Sequence, residues 1–207
     1  MNEYRYADAG PTWPHAYLWP ALAKEIDLLP RDALAASGVF DLGCGNGATA
    51  GMLAARGLTV TGVDSSQSGV ALARRAYPDC RFDVASAYDN LAAVYGSFPL
   101  IISLEVVEHL YDPRLFARRL FDLTAQGGTA IVSTPYHGYM KNIALAVSGR
   151  LDSHFTALWD GGHIKFFSIA TLTALLSEAG FADIRFRRVG RVPVFAKSMM
   201  AVARRPR

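Results

Sequence analysis

Short apolar runs alternate with longer amphipathic segments along most of the chain. The apolar runs predict β-strands over residues 39–42, 59–63, 81–84, 100–104 and 129–133. The segments between the strands have helical spacing and end near Gly or Pro, which predicts helices over 48–56, 67–77, 91–95 and 113–123. Strands that alternate with helices in this way are typical of an α/β fold, in which a parallel sheet is covered by helices on both faces.

The regular alternation stops at a long segment, residues 136–167, which contains an apolar helix predicted over 143–147. We interpret this segment as an inserted lid over a substrate pocket. A helix over 169–179 follows, and strand-like runs at 182–189 and 196–204 lie close enough in sequence to pair antiparallel. The pattern therefore predicts a seven-stranded, mostly parallel sheet that ends in a C-terminal antiparallel hairpin.

The first part of the chain, residues 1–30, is predicted to form an N-terminal cap. Its stretch 13–20 is rich in aromatic residues, and a helix is predicted from there to Leu29, before Pro30. The whole chain has 207 residues, of which 51% are hydrophobic. This length fits a single α/β domain over 1–207 and leaves no room for a second domain of ordinary size.

Charge, cysteine content and the absence of long apolar runs bear on the partners and the cellular compartment of the protein. The net charge of +3 neither requires nor excludes an anionic partner. The two cysteines, Cys44 and Cys80, lie on separate predicted elements of an apolar chain and are interpreted as reduced thiols. No N-terminal signal-peptide pattern is present, and no apolar run reaches the length of a membrane span. These features predict a cytoplasmic enzyme.

The most informative sequence is the turn after the first predicted strand, which reads Phe-Asp-Leu-Gly-Cys-Gly-Asn-Gly over 40–47. Glycines allow a ligand to lie against bare main chain, and a strand that turns into a helix in this way is typical of a nucleotide site. Asp64 ends the second strand, where a carboxylate can accept hydrogen bonds from ribose hydroxyls. The spacing is G-x-G-x-G, and Asp41 before it would repel a pyrophosphate, which disfavours a nicotinamide dinucleotide.

This turn resembles motif I of the class I S-adenosylmethionine-dependent methyltransferases, whose fold is a Rossmann-like seven-stranded sheet. The resemblance implies S-adenosyl-L-methionine as cofactor, with Asp41 near its amino group and Asp64 on its ribose. Three aromatic residues, Trp13, His15 and Tyr17, could close over the cofactor or pack as part of the N-terminal helix. The resemblance implies the following cofactor-binding residues: Asp41, Gly43, Cys44, Gly45, Asn46, Gly47, Asp64, Ser65, Ala85, Ser86, Leu104 and Glu105.

A second group of candidate residues follows the fourth predicted strand. Glu105, Glu108 and His109 have the spacing i, i+3 and i+4, which would place them on one face of a helix. Two carboxylates and an imidazole can bind a divalent metal such as Mg²⁺, and His163 lies in the segment expected to fold over them. Alternatively, His109 acts as a general base without a metal, and the two acids serve the cofactor edge.

The same E-x-x-E-H pattern resembles two methyltransferase groups. The ubiquinone-biosynthesis O-methyltransferases have a similar pattern and a later histidine before a Phe. The small-RNA 3′-end methyltransferases have E-x-x-E-H-H and bind a metal, but here Leu110 replaces the second histidine. The metal set implied by these resemblances is Glu105, Glu108, His109 and His163, and the catalytic set is His109, Glu105 and Glu108.

The lid suggests the kind of substrate. An apolar, aromatic segment with several histidines fits an aromatic or prenylated phenol. Residues 139–149 could instead rest on a membrane surface, but their small polar face favours a packed lid. The candidate substrate-binding residues are Tyr136, His137, Tyr139, Trp159 and His163.

Together these features predict a methyltransferase that acts on the hydroxyl of a small molecule. One alternative is 2′-O-methylation of RNA 3′ ends with a metal, although the nearly neutral lid gives nucleic acid little to bind. The other is a non-catalytic cofactor-binding partner protein, which would be expected to have a damaged glycine motif. The sequence gives no indication of the oligomeric state.

Overall fold

The computed structural model describes residues 6–207, which form one seven-stranded sheet flanked by helices. Its strands are β1 Val39–Leu42, β2 Val60–Asp64, β3 Arg81–Val84, β4 Phe98–Leu104, β5 Thr124–Pro135, β6 Ala182–Val189 and β7 Ser198–Arg204. The spatial order is β3-β2-β1-β4-β5-β7-β6. Strands β1 to β5 are parallel, and β7 runs antiparallel to β5 and β6. The predicted fold class is confirmed.

Helices cover both faces of the sheet. They are α1 His15–Asp27, α2 Arg31–Ser37, α3 Ala48–Ala54, α4 Gln67–Ala76, α5 Leu91–Tyr95, α6 Pro113–Leu123, α7 Tyr139–Val147, α8 Leu151–Phe155 and α9 Ile169–Glu178. The first four helices pack with Val39 of β1 into one hydrophobic cluster. Helices α5, α6 and α9 pack with Phe40 and Leu42 into the cluster on the opposite face. Successive side chains of β1 point to opposite faces of the sheet and pack into both hydrophobic clusters, as expected for a central parallel strand.

Several helices begin at side chains that cap them. Ser66 Oγ accepts a hydrogen bond from Gly69 N at 3.0 Å at the start of α4. Asp112 accepts from Leu115 N at 2.9 Å at the start of α6. Ser168 and Thr171 form a capping box at the start of α9. Each cap satisfies backbone amides that have no partner within the helix, and so fixes where the preceding loop ends.

The N-terminal region and β5 differ from the prediction. The single helix expected to reach Leu29 ends at Asp27, and a further helix, α2, begins directly after Pro30. Proline is well tolerated at a helix start, so it separates two helices instead of ending helical structure. Strand β5 was predicted over 129–133 but extends over Thr124–Pro135, and its pairing with β4 shifts register between Phe98 and Leu100.

The lid segment and the last strand also differ. The lid helix predicted over 143–147 begins earlier, as α7 Tyr139–Val147, and the lid contains a second helix, α8 Leu151–Phe155, that was not predicted. The last strand was predicted from residue 196 but begins at Ser198, after a 3₁₀ turn at Pro193–Phe195. Within residues 6–207, every helix is too short or too polar to cross a lipid bilayer.

Candidate functional site

The glycine-rich turn after β1 is held against the end of β2. Gly43 N and Cys44 N donate to Val63 O at 2.8 and 3.0 Å. Gly43 has a φ of +86°, and a Cβ atom there would collide with the Val106 side chain. Burial, and then the charges of Asp41 and Asp64, raise the pKa of the Cys44 thiol well above its usual value, so this residue stays protonated. The turn thus presents main chain at the carboxyl edge of the sheet.

Asp64 is fixed by two backbone amides. Its Oδ2 atom accepts from Gly45 N at 2.9 Å, and its Oδ1 atom accepts from Ser66 N at 2.8 Å. Hydrogen bonds of this kind hold the carboxylate in one orientation at the end of β2. The structure therefore places Asp64 beside the glycine turn, while Ser65 next to it is exposed.

Asp41 has a very different environment. It is buried, and its Oδ2 atom has no hydrogen-bond partner among the described residues. Burial, together with the charge of Asp64, raises the pKa of the Asp41 carboxyl to about 7. A buried carboxylate without a partner is costly, so this atom is a strong candidate for contact with a cationic ligand group.

The turn after β3 contains the predicted adenine slot. Ala85 N donates to Asp64 O at 3.0 Å, which brings this turn to the same edge of the sheet. Ser86 N donates to Asp89 at 2.8 Å, and this hydrogen bond closes the turn. Val84, the last residue of β3, is 46% exposed and offers an apolar surface within the segment 84–88 in which the adenine slot was predicted.

Asn46 makes contacts that the sequence did not predict. Its side chain is buried and donates to Asp8 O at 2.8 Å and Gly10 O at 2.9 Å. Both amide hydrogens are therefore committed to the N-terminal segment, so the side chain is not available as a donor to a cofactor. Only the main chain of Asn46 remains a candidate for cofactor contact.

Glu105 directly follows β4 and has a φ of +55°, a backbone conformation that is rare for residues other than glycine. Its carboxylate accepts hydrogen bonds from Ser133 Oγ at 2.8 Å and from Ser198 Oγ at 3.1 Å. Burial raises the pKa of Glu105 to about 7, although these two hydroxyls act in the opposite direction. The hydroxyl of Tyr17 lies 3.2 Å from Ser198 Oγ and connects α1 to this group.

The prediction that Glu105, Glu108 and His109 share one helix face is wrong. Glu105 has a left-handed backbone, and Val107–His109 is a short 3₁₀ turn. Glu108, His109 and His163 each offer a ligand atom within 4.8 Å of the others, and Glu105 is outside this group. The reason is that the Glu105 carboxylate points to Ser133 and Ser198 instead.

Glu108 is buried, and both of its carboxylate oxygens are without a hydrogen-bond partner among the described residues. Burial, and secondly the charge of Glu105, raise its pKa well above the usual value. Its backbone oxygen accepts from Ile164 N at 2.9 Å and Lys165 N at 3.0 Å. The end of the lid segment is therefore attached directly to the residue that carries the unpaired carboxylate.

His109 and His163 lie beside this carboxylate, with ring centroids 4.9 Å apart. His109 Nδ1 is 2.9 Å from Gly161 O and 3.2 Å from Gly162 O, so it must donate a proton to these carbonyls. The Nε2 atom of neutral His109 then has a free lone pair. Burial, and then His109, lower the pKa of His163 to about 4. The Trp159 ring packs 5.2 Å from the His163 ring.

The lid segment lines an open cavity of about 490 Å³. Its lining residues are His137, Asn142, Phe155, Ala157, His163, Phe166 and Ser168. The His137 ring stacks on Phe155 at 5.8 Å, and burial followed by the charge of Lys141 lowers the pKa of His137 to about 4. The cavity is thus mostly aromatic and uncharged at neutral pH, and it adjoins the histidine pair through His163.

Three predicted substrate residues, Tyr136, Tyr139 and Trp159, lie outside the cavity lining. Tyr139 is 78% exposed on α7, so its side chain does not face the cavity. Tyr136 contributes its backbone oxygen to a 2.8 Å hydrogen bond from Lys141 Nζ. Burial and the charge of Arg191 lower the pKa of Lys141 to about 8, in spite of the opposing effect of Glu105. The sequence analysis did not select Lys141, although a single lysine in an apolar helix was a usable signal.

A family model described as a methyltransferase domain matches residues 15–185. The chain belongs to this methyltransferase family. The predicted resemblance to class I methyltransferases and to the ubiquinone-biosynthesis group is confirmed by named relatives. A ubiquinone biosynthesis O-methyltransferase from Thiobacillus denitrificans is 33% identical over 156 residues, covering 72% of this chain and 66% of the relative. One from Azorhizobium caulinodans is 32% identical over 151 residues, covering 69% of this chain and 58% of the relative.

This methyltransferase chain thus spans roughly three fifths of the length of these curated relatives. Its fold is also found in solved structures. The magnesium protoporphyrin IX methyltransferase of Synechocystis, solved with bound S-adenosylhomocysteine, has a TM-score of 0.68 and 21% identity. The alignment covers 91% of this chain and 81% of that one. At this identity the likeness concerns the fold.

In this methyltransferase domain, the structure brings the predicted site residues together in two groups. Asp41, the 43–47 turn, Asp64 and the turn at 85–86 meet at the ends of β1, β2 and β3. Glu108, His109 and His163 meet between the end of β4 and the lid. Leu104 ends β4, with Glu105 following, and so lies between the two groups.

Proposed function

We propose that this methyltransferase transfers the methyl group of S-adenosyl-L-methionine to the oxygen of a hydroxyl on a small aromatic molecule, such as a phenol. The observation that carries the proposal is the position of His109. Its Nδ1 atom donates to lid carbonyls, which leaves Nε2 as the basic nitrogen, and the imidazole offers a ligand atom within 4.8 Å of ligand atoms of Glu108 and His163. This arrangement supplies a base beside an aromatic cavity.

The cofactor would lie across the glycine turn. Asp64 would accept hydrogen bonds from the ribose hydroxyls, and the unpaired Asp41 Oδ2 would face the cationic amino group. Val84 and the turn at 85–86 would hold the adenine. Burial raises the pKa of Asp41 to about 7 in the free protein. The bound amino group would favour the ionised form of Asp41 and so lower this pKa.

Methyl transfer is a displacement in line with the bond that breaks. The substrate oxygen forms a bond to the methyl carbon, and the sulfur–carbon bond breaks, leaving its electron pair on the sulfur of S-adenosylhomocysteine. The hydroxyl proton passes to Nε2 of His109. The sulfonium is already a strong electrophile, so the chain mainly aligns the two reactants and removes this proton.

A metal offers a second way to activate the hydroxyl. Glu108, His109 and His163 fit a metal, because the Glu108 carboxylate is buried without a partner and all three ligand atoms lie within 4.8 Å. A bound cation would lower the pKa of a hydroxyl coordinated to it. Two imidazoles and one carboxylate suit a first-row transition ion better than Mg²⁺, which prefers oxygen ligands. Because Nδ1 of His109 donates to the lid carbonyls, a metal would have to bind Nε2, and that nitrogen could then not act as the general base.

The test is calorimetric titration of S-adenosylhomocysteine into the protein, with and without EDTA, followed by metal analysis. We expect micromolar binding, and we expect the Asp64→Ala variant to lose it, because the ribose and Gly45 N would both lose an acceptor. Asp79→Ala is the matched control, since Asp79 is exposed on another turn. Absence of binding to the wild-type protein would contradict the proposal.

Turnover assays then separate the candidate substrates. We expect methylation of small phenols in the presence of S-adenosyl-L-methionine. Methylation of RNA 3′ ends, but of no small molecule, would favour the RNA alternative. Cofactor binding without turnover on either class would favour a non-catalytic partner protein. Loss of turnover on metal removal would assign Glu108, His109 and His163 to a metal, and retained turnover would leave His109 as the base.

A further inference from the structure

The segment of residues 6–12, here called the N-terminal strap, crosses the outside of the glycine turn. Three successive carbonyls of the strap accept hydrogen bonds from side chains of the domain. Asn46 Nδ2 donates to Asp8 O and Gly10 O, and Tyr77 Oη donates to Ala9 O at 2.7 Å. Backbone carbonyls of a loop are usually satisfied by water, so three such contacts indicate a specific docked position.

Tyr6 lies between the glycine turn and the first turn of α4. A Cβ atom on Gly45 would collide with the Tyr6 hydroxyl, and one on Gly69 would lie 3.0 Å from its ring. Gly45 is also the residue whose amide donates to Asp64. The ring therefore lies at the end of the turn where the ribose of the cofactor is proposed to bind.

The chain that follows the strap is held at the other side of the turn. His15 Nε2 is 3.1 Å from Thr49 Oγ1 in α3, and Lys197 Nζ lies 3.5 Å from the centre of the Trp13 ring. Tyr17 continues this path to Ser198 and Glu105. The segment from Tyr6 to Tyr17 thus runs beside the whole length of the proposed cofactor site, from Asp64 to Glu105.

We propose that the N-terminal strap forms the outer wall of the cofactor site and opens for the cofactor to enter or leave, with Tyr6 lining the ribose end. Asn46 and Tyr77 are positioning residues, because they hold the strap and act on the cofactor through it. The inference rests on the proposed function. It also explains why a buried asparagine in the glycine turn commits both of its amide hydrogens to the strap.

The experiment measures the rate at which S-adenosylhomocysteine dissociates from the full chain, by stopped-flow displacement. Tyr77→Phe removes one hydroxyl and keeps the ring that packs against Gly47 and Gly51. We expect dissociation to be roughly two- to tenfold faster, which corresponds to one lost hydrogen bond. Asn46→Ala should have a larger effect because two hydrogen bonds are lost. Tyr95→Phe is the matched control, since its hydroxyl contacts Asp83 on β3.

A second measurement follows the strap itself. Bound S-adenosylhomocysteine should slow hydrogen exchange at the amides of residues 6–12, and it should do so less in Tyr77→Phe. Thermal unfolding and circular dichroism of each variant verify that it is folded. Wild-type dissociation rates in both folded strap variants, or exchange that ligand leaves unchanged, would overturn the strap inference and leave the proposed function intact. Failure of the wild-type protein to bind would overturn both.

Discussion

At the scale of single residues, the two aspartates at the glycine turn differ in how their charge is satisfied. Asp64 accepts two backbone hydrogen bonds, whereas Asp41 Oδ2 has no partner among the described residues. Burial and the charge of Asp64 raise the pKa of Asp41 from 3.8 to about 7. In the free protein the ionised form of Asp41 is therefore destabilised by burial, and a bound cationic group would stabilise it.

This difference predicts a specific pH dependence of stability. Between about pH 4 and pH 7, folded Asp41 retains a proton that the unfolded chain has released, so the free energy of unfolding falls as pH rises. Asp41→Asn removes this contribution, so its melting temperature should fall less than that of the wild type over this window. Glu105, with a pKa also raised to about 7, keeps part of the slope in both proteins. Thermal unfolding followed across this pH range checks the prediction, and a pH-independent difference between the two proteins would contradict it.

The histidine pair allows its two interpretations to be separated. His109→Ala should lower kcat roughly 100-fold or more under either one, with S-adenosylhomocysteine binding preserved. If His109 is the base, His163→Ala should have a much smaller effect, because His163 does not take the proton. If a metal is bound, both substitutions should have similarly large effects and should reduce metal content. Steady-state kinetics and metal analysis of both variants test these expectations. Full turnover by the His109→Ala variant would show that His109 has no role in the mechanism.

At the scale of elements, one buried carboxylate joins the N-terminal helix to the edge strand. Glu25 of α1 is 1% exposed and forms ion pairs with Arg185 and Arg187 of β6. Burial alone would raise the pKa of Glu25, but hydrogen bonds from Arg185 and Arg187 outweigh it, and the pKa is lowered. This contact fixes α1 and so the direction from which the N-terminal strap approaches the glycine turn.

Glu25→Ala should therefore destabilise the protein. The arginines are about half exposed, so water and salt screen the pairs, and we expect a loss of about 1–2 kcal/mol. This corresponds to a decrease in melting temperature of roughly 2–8 °C for a domain of this size. Glu178→Ala is the matched control, because it breaks an exposed ion pair with Arg114 and should leave the melting temperature unchanged. Equal effects of the two substitutions would contradict the structural role of Glu25.

The elements of the sheet could be predicted because their residues carry the information locally. Strand β1 is four buried residues followed by glycine, and β4 and β5 also contain runs of buried, mostly apolar residues. Helix α2 was missed because Pro30 was interpreted only as a helix end. The grouping of Glu108, His109 and His163 was partly predictable from spacing. The direction of the Glu105 carboxylate was not, because it is held by Ser133 and Ser198, which are far away in sequence.

In the molecule as a whole, the two ends of the site differ in how deeply their residues are buried. The side proposed to bind the cofactor is formed by the ends of strands in the sheet, which two hydrophobic clusters support. The lid side includes α7, in which no residue is buried although most are apolar. A packed lid was predicted, but α7 is only partly covered, by α8 and by the 3₁₀ turn at Pro193–Phe195. The apolar side chains of a helix do not by themselves show how much of it is covered by neighbouring elements.

The exposure of α7 makes it tolerant of substitution. Met140→Ser and Val147→Ser together should change the melting temperature by no more than about 2 °C, because both side chains are exposed. Leu172→Ala in α9 is the contrasting control, since it removes a fully buried side chain and should cost about 2–5 kcal/mol. Differential scanning fluorimetry measures both. A large destabilisation by the α7 changes would mean that the helix packs against something.

The same α7 variant tests the peripheral membrane contact considered from the sequence. Sedimentation with phospholipid vesicles that is lost in the variant, while its melting temperature is preserved, would support that contact. Absence of sedimentation by the wild-type protein would leave α7 as a part of the lid that faces solvent.

Strand β7 lies inside the sheet, between β5 and β6, and it carries Ser198, which holds Glu105. During synthesis, a nascent chain that has not yet reached Ser198 lacks this hydroxyl and leaves the β5 edge open. The glycine turn and its strap can form earlier, because Asp8, Asn46, Asp64 and Tyr77 all precede it. The residues proposed to bind the cofactor are therefore synthesised well before the strand that holds the Glu105 carboxylate, and a chain that ends before Ser198 lacks one of the two hydroxyls that position this carboxylate.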